Sequence, residues 1–590
     1  MRPGAWSPAL EIHLSCTMAL FWDARAPSLS PGSKIRAAVP ELVLGPLLRY
    51  VGPTDATVWL ETRSPCKVQA SVGNFSYRAP TFRVGDHHYA LVRITDLEPG
   101  SSYEYEVTLD DKKVWPEVGS SFPPSLIRTL GDGEAVKLVF GSCRISAPHE
   151  PPYSLSYEQD KRGLGVDALY AMAMRLRNRT AEELPHALVL LGDQVYAHKP
   201  PQGTLEFIRS RRDTNKPPGE EVADFEEYTR LYWDSWKDPA IRWILSTVPS
   251  AMIFDDHEVS DDWNISESWL EETRTHPWWN AQIIGAHTSY WIYQHLGNLS
   301  PEEITASKLF ERVRNSDDAW PLLREFFYRV HRTSRGTRWS FHRDFGNVRL
   351  IMMDSRGGRV LDEGSRSMVD DEEWTWIEDK ATGDFDHLLL GTSLPVLLGP
   401  GMHLLQAWNE AVCAGVWGEG AKGWGERLRR SQDFDHWASF YGSFVALTGL
   451  IQRVAAGERG NPPSSITILS GDVHHGYLAE ARFRDDTVQS TVYQAVCSPL
   501  RNALPGRKSR LQDVAWTNIG ELAGGLLSRL AGIEAPDMDW RLTHSEPWFE
   551  NQVATLELDG PHAKITFEEA IQNNAGEPGL ERLYERNLFS

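Results

Sequence analysis

Six short apolar segments of the chain each end in a polar motif, which predicts buried strands with reactive side chains at their carboxyl ends. Short apolar runs bounded by turn residues are typical of strands covered on both faces, as in parallel sheets. Ligands of such sheets bind at the carboxyl ends of the strands, where the connecting loops converge. We therefore expect the polar motifs to meet at one sheet edge. The segments are residues 136–140, 187–191, 251–254, 350–353, 388–390 and 466–469.

The motifs that follow these segments combine carboxylates, imidazoles, a thiol and a phenol. A buried group of carboxylates without a counter-charge is costly, so their clustering predicts bound metal ions or protonation. Such a mixed set of hard and soft ligands suits ferric iron or another transition metal beside a hard ion such as Ca²⁺. The motifs are Gly-Ser-Cys-Arg (141–144), Gly-Asp-Gln-Val-Tyr (192–196), Asp-Asp-His-Glu (255–258), Asp-Ser-Arg (354–356), Gly-Thr-Ser-Leu-Pro (391–395) and Ser-Gly-Asp-Val-His-His (470–475).

Residues 42–130 have the pattern of an all-β domain that precedes these segments. Short strands are predicted at 56–60, 67–72 and 90–94, separated by Gly, Pro and Asp. Residues 97–107 resemble the late strand of fibronectin type III modules, in which a turn precedes a tyrosine that holds the corner of the sheet. We predict a fibronectin type III or Ig-like β-sandwich with a structural role.

From residue 131, strands alternate with helices, which predicts an α/β domain that extends to about residue 570. Insertions are expected near 200–247 and 396–463, and the second is a candidate lid. The tryptophans between 263 and 291 either line a pocket mouth or pack helices, and the sequence leaves both interpretations open. An irregular leader is expected at 1–41 and a polar tail at 571–590.

The chain of 590 residues has a net charge of −21, from 60 basic and 81 acidic side chains. Because an acidic protein lacks the basic face that phosphate backbones require, we expect no nucleic-acid scaffold role. The first 35 residues lack the apolar core of a secretory signal, and no run is long enough for a transmembrane segment. These features predict a cytoplasmic protein, with export as the alternative. Five scattered cysteines argue against a disulfide framework, and the oligomeric state is left open.

The motif series resembles that of the PhoD-type alkaline phosphatases of the calcineurin-like metallophosphoesterase superfamily. Five of the motifs occur in the family's order between about 135 and 500, and the β domain has the family's position. The resemblance implies a four-layer αββα core with a two-metal site. It also implies iron (Fe³⁺) and calcium (Ca²⁺) as cofactors, with other divalent metals as alternatives. The implied reaction is hydrolysis of small phosphomonoesters or phosphodiesters by a metal-activated water.

The resemblance also implies roles for individual residues. Asp193 would bridge the two metals. His257 has the position of the family's catalytic histidine, and Arg356 matches an Asp-Thr/Ser-Arg element, where its planar guanidinium would bind phosphate and offset developing charge. Arg144 is a second candidate for substrate binding, with a carboxylate partner as an equal alternative. The implied metal ligands are Cys143, Asp193, Tyr196, Asp256, Asp472 and His474.

One departure from the family pattern concerns the Gly-His motif, which is replaced by Gly-Thr-Ser at 391–393. The second metal would then have fewer protein ligands, with His403, His436 and His475 as nearby candidates. Two alternatives to a general phosphatase are considered. The first is phosphodiesterase or phospholipase D-like activity only. The second is a non-catalytic metal-binding scaffold whose β domain recruits a protein or a glycan.

Overall fold

The computed structural model describes residues 40–333, 336–503, 516–534, 536–573 and 576–589. The expected leader therefore lies outside the described residues, apart from positions 40 and 41. Among the described helices, none is both long enough and apolar enough to cross a membrane.

The strands follow the alternation of apolar and polar positions along the chain. Those of the first region are β1 Leu42–Val51, β2 Ala56–Thr62, β3 Lys67–Val72, β4 Phe75–Pro80, β5 Phe82–Val84, β6 His87–Ile94, β7 Ser102–Leu109, β8 Lys112–Trp115 and β9 Leu126–Arg128. Those of the second region are β10 Val136–Gly141, β11 Ala187–Leu190, β12 Ser250–Met252, β13 Phe341–Phe345, β14 Val348–Met352, β15 His387–Gly391, β16 Ser465–Ser470, β17 Tyr477–Phe483, β18 Thr491–Val496, β19 Met538–Leu542, β20 Gln552–Asp559, β21 His562–Gln572 and β22 Pro578–Phe589.

The helices lie between the strands of the second region, as the alternating pattern predicted. They are α1 Ala168–Leu176, α2 Gln202–Arg211, α3 Phe225–Trp236, α4 Pro239–Thr247, α5 Glu267–Thr273, α6 Trp279–Tyr290, α7 Leu296–Asn298, α8 Pro301–Ala306, α9 Lys308–Arg314, α10 Trp320–Thr333, α11 Asp371–Lys380, α12 Pro400–Cys413, α13 Glu419–Ser431, α14 Tyr441–Ala455 and α15 Asn518–Leu530. A π-helical turn, Trp291–His295, joins α6 to α7.

The first region is a β-sandwich, which confirms that part of the predicted fold. Its two sheets have the strand orders β1-β2-β6-β5 and β4-β3-β7-β8, with β9 paired to β7. Apolar side chains from both sheets, including Val58, Val68 and Val107, are buried between them. The hydroxyl of Tyr103 in β7 accepts a hydrogen bond of 2.9 Å from the Glu98 amide, so this tyrosine holds the corner of the sheet.

The sandwich packs directly on the second region. The Tyr105 hydroxyl donates a hydrogen bond of 2.7 Å to the carbonyl of Ser246 in α4. The buried guanidinium of Arg49 donates to the carbonyls of Tyr293 and Gln294 in the π turn, at 2.6 and 2.7 Å. These buried contacts explain why the two regions form one compact unit.

The second region contains two mixed sheets that face each other. Their strand orders are β12-β11-β10-β20-β21-β22 and β13-β14-β15-β16-β18-β17-β19. Leu138, Val189, Leu350 and Leu389 belong to the apolar layer between the sheets. Alternate residues of the same strands, such as Leu188 and Leu390, belong to the clusters that the helices cover. This gives the predicted four-layer αββα arrangement, because each sheet buries one face on the other sheet and one on helices.

All six predicted strands of the second region are present, but the chain end differs from expectation. Residues 578–589, which were expected in a polar tail, form β22 at the edge of the six-stranded sheet. An edge strand pairs on one side only and tolerates charged side chains. The charged residues of β22 therefore hid the alternating apolar pattern by which a strand is recognised in the sequence. Leu588 of β22 is buried in the layer between the sheets.

The two predicted insertions are helical. Residues 200–247 contain α2, α3 and α4, whose buried side chains Ile208, Trp236 and Ile241 belong to the main core. Residues 396–463 contain α12, α13 and α14. Tryptophans 263, 279 and 291 are buried among other aromatic rings, so these three pack helices and do not line a pocket mouth.

Candidate metal centre and active site

The loops after β10 and β11 bring a thiol, a carboxylate and a phenol together. Oδ2 of Asp193 lies 3.3 Å from Sγ of Cys143 and 3.3 Å from the hydroxyl of Tyr196. His474, from the loop after β16, completes the group, because its ring nitrogen lies within 4.8 Å of the Cys143 and Asp193 atoms. Asn502 holds the set by donating to the Tyr196 hydroxyl at 3.0 Å.

A second group of potential ligands shares Asp193 with the first. Oxygen atoms of Asp193, Asp255, Asp256 and Asp472 all lie within 4.8 Å of one another. The structure therefore brings together all six predicted metal ligands, from loops that follow four different strands. Asp193 occurs in both groups, as a residue that bridges two metals must.

The backbone of these loops adopts an uncommon conformation at the ligand positions. Cys143, Asp193, Asp472 and His474 have φ angles of 56°, 54°, 64° and 52°. Left-handed conformations are rare for residues other than glycine and concentrate at functional sites. A side chain at Gly471, just before one of these ligands, would place Cβ 2.0 Å from the Ser142 hydroxyl oxygen. The glycine in the Gly-Asp motif is thus needed for close packing of two ligand loops.

The electrostatics of the site fit bound cations. Burial, followed by the charge of Asp255, raises the pKa of the Asp193 carboxyl well above its usual range. Within the described part of the chain, Oδ1 of Asp193, Oδ2 of Asp255 and Oδ1 of Asp256 are buried without a hydrogen-bond partner. Unpaired buried carboxylate oxygens are costly, and a metal ion would supply the missing partner. The donor set and its unpaired atoms therefore fit bound metal ions.

Arg356 supplies the principal positive charge beside the acids. Its Nε atom donates to Oδ1 of Asp255 at 2.6 Å, and its Nη1 atom is paired with Asp435. Its Nη2 atom lies 3.5 Å from Asp256 and 3.6 Å from Asp472. The guanidinium is buried but reaches the cavity wall. Its planar fork thus holds the carboxylates of three loops in place.

Arg144 has a different environment from the one a substrate contact requires. Its buried guanidinium donates to Asp167 at 2.9 Å and to the Ser235 carbonyl at 2.9 Å. Asp167 in turn caps the amino end of α1. Arg144 does not line the cavity beside the acids. The carboxylate partner, which the sequence left open as the alternative, is therefore what the structure shows.

His257 stands between the ligands and the cavity. Its ring stacks on Tyr196 with a centroid separation of 4.6 Å. Its Nε2 atom lies 3.9 Å from Oδ2 of Asp193, and its Nδ1 atom lies 3.5 Å from Oδ1 of Asp261. A carboxylate beside Nδ1 favours a proton there and directs Nε2 toward the centre.

Glu258 has a role that the sequence analysis missed. Its carboxylate accepts hydrogen bonds from the amides of Asp193, Gln194 and Asp255, at 3.2, 2.9 and 3.1 Å. Burial raises the pKa of Glu258 to about 7. Gln294 of the π turn donates to the same carboxylate at 3.2 Å. The position of Glu258 in the Asp-Asp-His-Glu motif is the signal in the sequence that could have indicated this role.

The residues that replace the Gly-His motif have hydrogen-bond partners other than the acids. Thr392 accepts a hydrogen bond of 3.3 Å from the Trp437 indole, and Ser393 is bonded to Ser355 at 2.8 Å. Their hydroxyl groups are therefore engaged by these buried partners.

The three nearby histidines differ in their reach. His403 is enclosed by the rings of Phe444 and Trp540, and Nδ1 of His475 is 2.7 Å from the Val473 carbonyl. Only His436 among the three places a nitrogen near the centre. Its Nε2 atom lies 3.5 Å from Oδ2 of Asp472.

A cavity of about 280 Å³ opens beside the two ligand groups. Its lining combines polar side chains, including His257, Arg356 and His436, with the apolar side chains of Leu398, Met402, Tyr477 and Trp516.

Comparisons with known proteins agree with this geometry. Residues 168–319 match the family model of PhoD-like phosphatases. Residues 39–127 match the model of a domain of unknown function, DUF7800. No curated protein matches the chain in a sequence search.

Two solved structures show the extent of the similarity. The structure of PhoD aligns over 93% of this chain and 92% of its own, with a TM-score of 0.55 and 12% identity. Purple acid phosphatase PPD1 from seeds of yellow lupin (Lupinus luteus) aligns over 91% of this chain and 74% of its own, with a TM-score of 0.47 and 10% identity. The segment 168–319, which matches the PhoD-like phosphatase model, includes the Asp193, Tyr196 and His257 motifs. The chain as a whole has the fold of PhoD.

Proposed function

We propose that this protein hydrolyses phosphate esters at a two-metal centre built around Asp193. The observation that carries the proposal is the overlap of two ligand groups at that carboxylate, beside a cavity of about 280 Å³. The match to PhoD-like phosphatases supports the same reaction. Metal ions bound there would supply positive charge to the phosphate oxygens and lower the pKa of a water molecule.

The two groups differ in chemistry, which supports different metals. Cys143, Tyr196 and His474 offer a thiolate, a phenolate and an imidazole, which suit ferric iron. The oxygens of Asp255, Asp256 and Asp472 suit a hard ion such as Ca²⁺. Iron with calcium is therefore the cofactor pair that we propose.

His436 is our proposed replacement for the missing Gly-His motif. Its Nε2 atom is close to Asp472, and its Nδ1 atom is 3.3 Å from Oδ1 of Asp435. Nδ1 also lies 3.1 Å from the side-chain amide nitrogen of Gln406, which is its hydrogen-bond partner. Contacts at the second ring nitrogen fix the orientation of histidines that bind metals, and Gln406 with Asp435 would perform that function for His436.

The remaining residues have roles that follow from their contacts. We assign to His257 the transfer of a proton from Nε2 to the departing alcohol, with Asp261 orienting the ring. Arg356 balances the acids and presents one edge of its guanidinium to the cavity. Arg144 orients the Cys143 loop through Asp167 and makes no substrate contact.

The charge of the cavity supports phosphodiesters over phosphomonoesters. Carboxylates of Asp261, Asp262 and Asp433 line the cavity beyond the proposed metal ligands. Burial, followed by the charges of Asp433 and Asp435, raises the pKa of Asp262 to about 8, so this wall gains negative charge as the pH becomes alkaline. A monoanionic diester encounters less repulsion at such a wall than a dianionic monoester does.

The test is hydrolysis of p-nitrophenyl phosphate and bis(p-nitrophenyl) phosphate by purified protein, with iron plus calcium supplied and then chelated. We expect turnover that chelation abolishes, with the diester hydrolysed faster. An Asp193→Asn variant should lose both metals and at least 10³-fold in kcat, an estimate that assumes metal catalysis supplies several kcal/mol. Bound metal without turnover of either ester would instead support the non-catalytic scaffold.

A further inference from the structure

A third group of potential metal ligands lies beside the two that share Asp193. One donor atom from each of His198, His257 and Asp261 lies within 4.8 Å of the others. His198 belongs to neither of the two groups at the proposed catalytic centre. Two imidazoles with one carboxylate are a donor set that suits Zn²⁺ and related divalent transition metals, for which imidazole nitrogen is a preferred ligand.

The loops after β11 and β12 hold the two histidines side by side. The Ala197 amide donates a hydrogen bond of 2.8 Å to the His257 carbonyl, and the Ala197 carbonyl accepts one of 2.9 Å from the Val222 amide. The ring centroids of His198 and His257 are 4.5 Å apart, and the two rings are inclined by 35°. Because the backbone beside each histidine is fixed by these bonds, the two rings are positioned before any ion binds.

The ring nitrogens of this group lack partners within the part of the chain that the structure describes. Both nitrogens of His198 and Nδ1 of His257 are buried without a hydrogen bond. Buried polar atoms are normally hydrogen-bonded. A cation shared by the two rings would occupy one nitrogen of each.

Asp261 completes the group from the solvent side. Its Oδ1 atom is 3.5 Å from Nδ1 of His257. Two ligands of a tetrahedral zinc ion lie about 3.4 Å apart when each bond is about 2.1 Å long, so this pair already has the required spacing. The Asp261 side chain is 64% exposed. An ion can therefore reach the group from solvent, and a water molecule would fill the fourth position.

We propose that His198, His257 and Asp261 bind a divalent transition metal such as Zn²⁺, and that this third ion inhibits the enzyme. Binding of the ion is independent of the proposed phosphoesterase function, whereas the inhibition rests on it. An ion on Nδ1 of His257 prevents that nitrogen from carrying a proton. The ring is then no longer a cation that releases a proton from Nε2, so the departing alcohol loses its acid.

Binding is measured by calorimetric titration of Zn²⁺ into protein already loaded with iron and calcium, followed by elemental analysis. We expect one zinc ion per chain in addition to the catalytic metals. Asp261→Asn should weaken zinc binding at least about tenfold, and so should His198→Phe, which keeps an aromatic ring beside His257. Asp262→Asn is the matched control, because Asp262 is the adjacent acid and belongs to none of the ligand groups among the described residues.

Two results of this titration would overturn the site. Equal losses of affinity in Asp261→Asn and Asp262→Asn would indicate attraction to the acidic wall alone. Zinc that enters only by displacing iron or calcium would show that no third site exists.

Inhibition is measured with a dialkyl phosphate and a nitrophenyl ester at saturating Zn²⁺. Loss of the acid should slow the dialkyl ester by at least about 10²-fold and the nitrophenyl ester by less than about tenfold. His198→Phe should be insensitive to the same zinc concentration with both esters. Zinc bound at the site with undiminished turnover of the dialkyl ester would overturn the inhibition.

An Asp193→Asn variant separates this inference from the proposed function. It should lose the catalytic metals and still bind one Co²⁺ ion, with the visible absorption of a cobalt complex of low coordination number. Adding His198→Phe to this variant should abolish the absorption. Such a cobalt site in a protein whose wild type hydrolyses no ester would support the inference and contradict the proposed function. Turnover by wild-type protein that binds no third ion would do the reverse.

Discussion

Nε2 of His436 lies 3.5 Å from Oδ2 of Asp472, although the two side chains come from different connections of the second sheet. His436 follows α13, whereas Asp472 follows β16. His436 belongs to none of the six strand-end motifs, whereas Asp472 belongs to the Ser-Gly-Asp-Val-His-His motif.

Replacing His436 by alanine should weaken the second metal site while the thiolate site stays filled. We expect the metal content to fall from two ions to one per chain after dialysis, with at least a tenfold loss of affinity for the second ion. Elemental analysis and a titration with calcium measure this. His403→Phe is the control and should keep both ions, since His403 packs against the rings of Phe444 and Trp540 and neither of its ring nitrogens has a hydrogen-bond partner among the described residues. Two retained ions in His436→Ala would show that His436 is no ligand.

His257→Asn should affect poor leaving groups more than good ones. An alkoxide must be protonated as it departs, whereas nitrophenolate is stable without a proton, so only the alkyl ester needs the acid. We expect kcat to fall about 10²–10⁴-fold for a dialkyl phosphate and less than tenfold for a nitrophenyl ester. Metal content should be unchanged. Equal losses for both esters would contradict the assignment of His257 as the acid.

Arg356→Met should destabilise the metal-free protein strongly. Asp255, Asp256, Asp435 and Asp472 would lose the charge that faces them, and breaking a buried ion pair from one side costs about 3–5 kcal/mol. Denaturant unfolding with and without metals measures this, and bound cations should recover part of the loss.

The control for this prediction is Arg162→Met, which removes an exposed pair with Asp160 and should leave the stability close to that of the wild type. If the metal-free Arg356→Met protein were as stable as the metal-free wild type, Arg356 would not be the group that compensates the charge of these four carboxylates.

His403→Phe should make the protein more resistant to acid. Burial lowers the pKa of His403 to about 3, below the 6.5 of an unfolded chain. The unfolded state therefore binds the proton first, and the folded state loses stability as the pH falls from about 6.5 toward 3. At pH 5 the loss from this residue is about 2 kcal/mol. Unfolding at pH 8 and pH 5 should show a smaller difference in the variant, and an unchanged difference would contradict this account.

Much of the fold and the core of the candidate site could be predicted from the sequence. Cys143, Asp193 and Asp472 directly follow or lie close to apolar strands, so strand periodicity alone brings them to one edge. His436 follows a helix, and Asn502 lies well beyond the end of β18, which was not among the predicted strands. Single polar residues in such connections carry no comparable signal. Arg144 resembled a phosphate contact because its motif does not reveal Asp167, which approaches from α1. Strand β22 was not predicted, because a sequence rich in charged residues is equally typical of a solvent-exposed tail and of an edge strand.

The contact of Arg49 with the π turn has a practical consequence for anyone dividing this chain. Arg49 donates to the Gln294 carbonyl, the Gln294 side chain donates to Glu258, and Glu258 accepts the amide of Asp193. Removing the sandwich to express a minimal catalytic fragment would therefore cut a support that ends at the backbone of Asp193. The first domain is better regarded as a part of the enzyme's frame than as an appendage that can be exchanged.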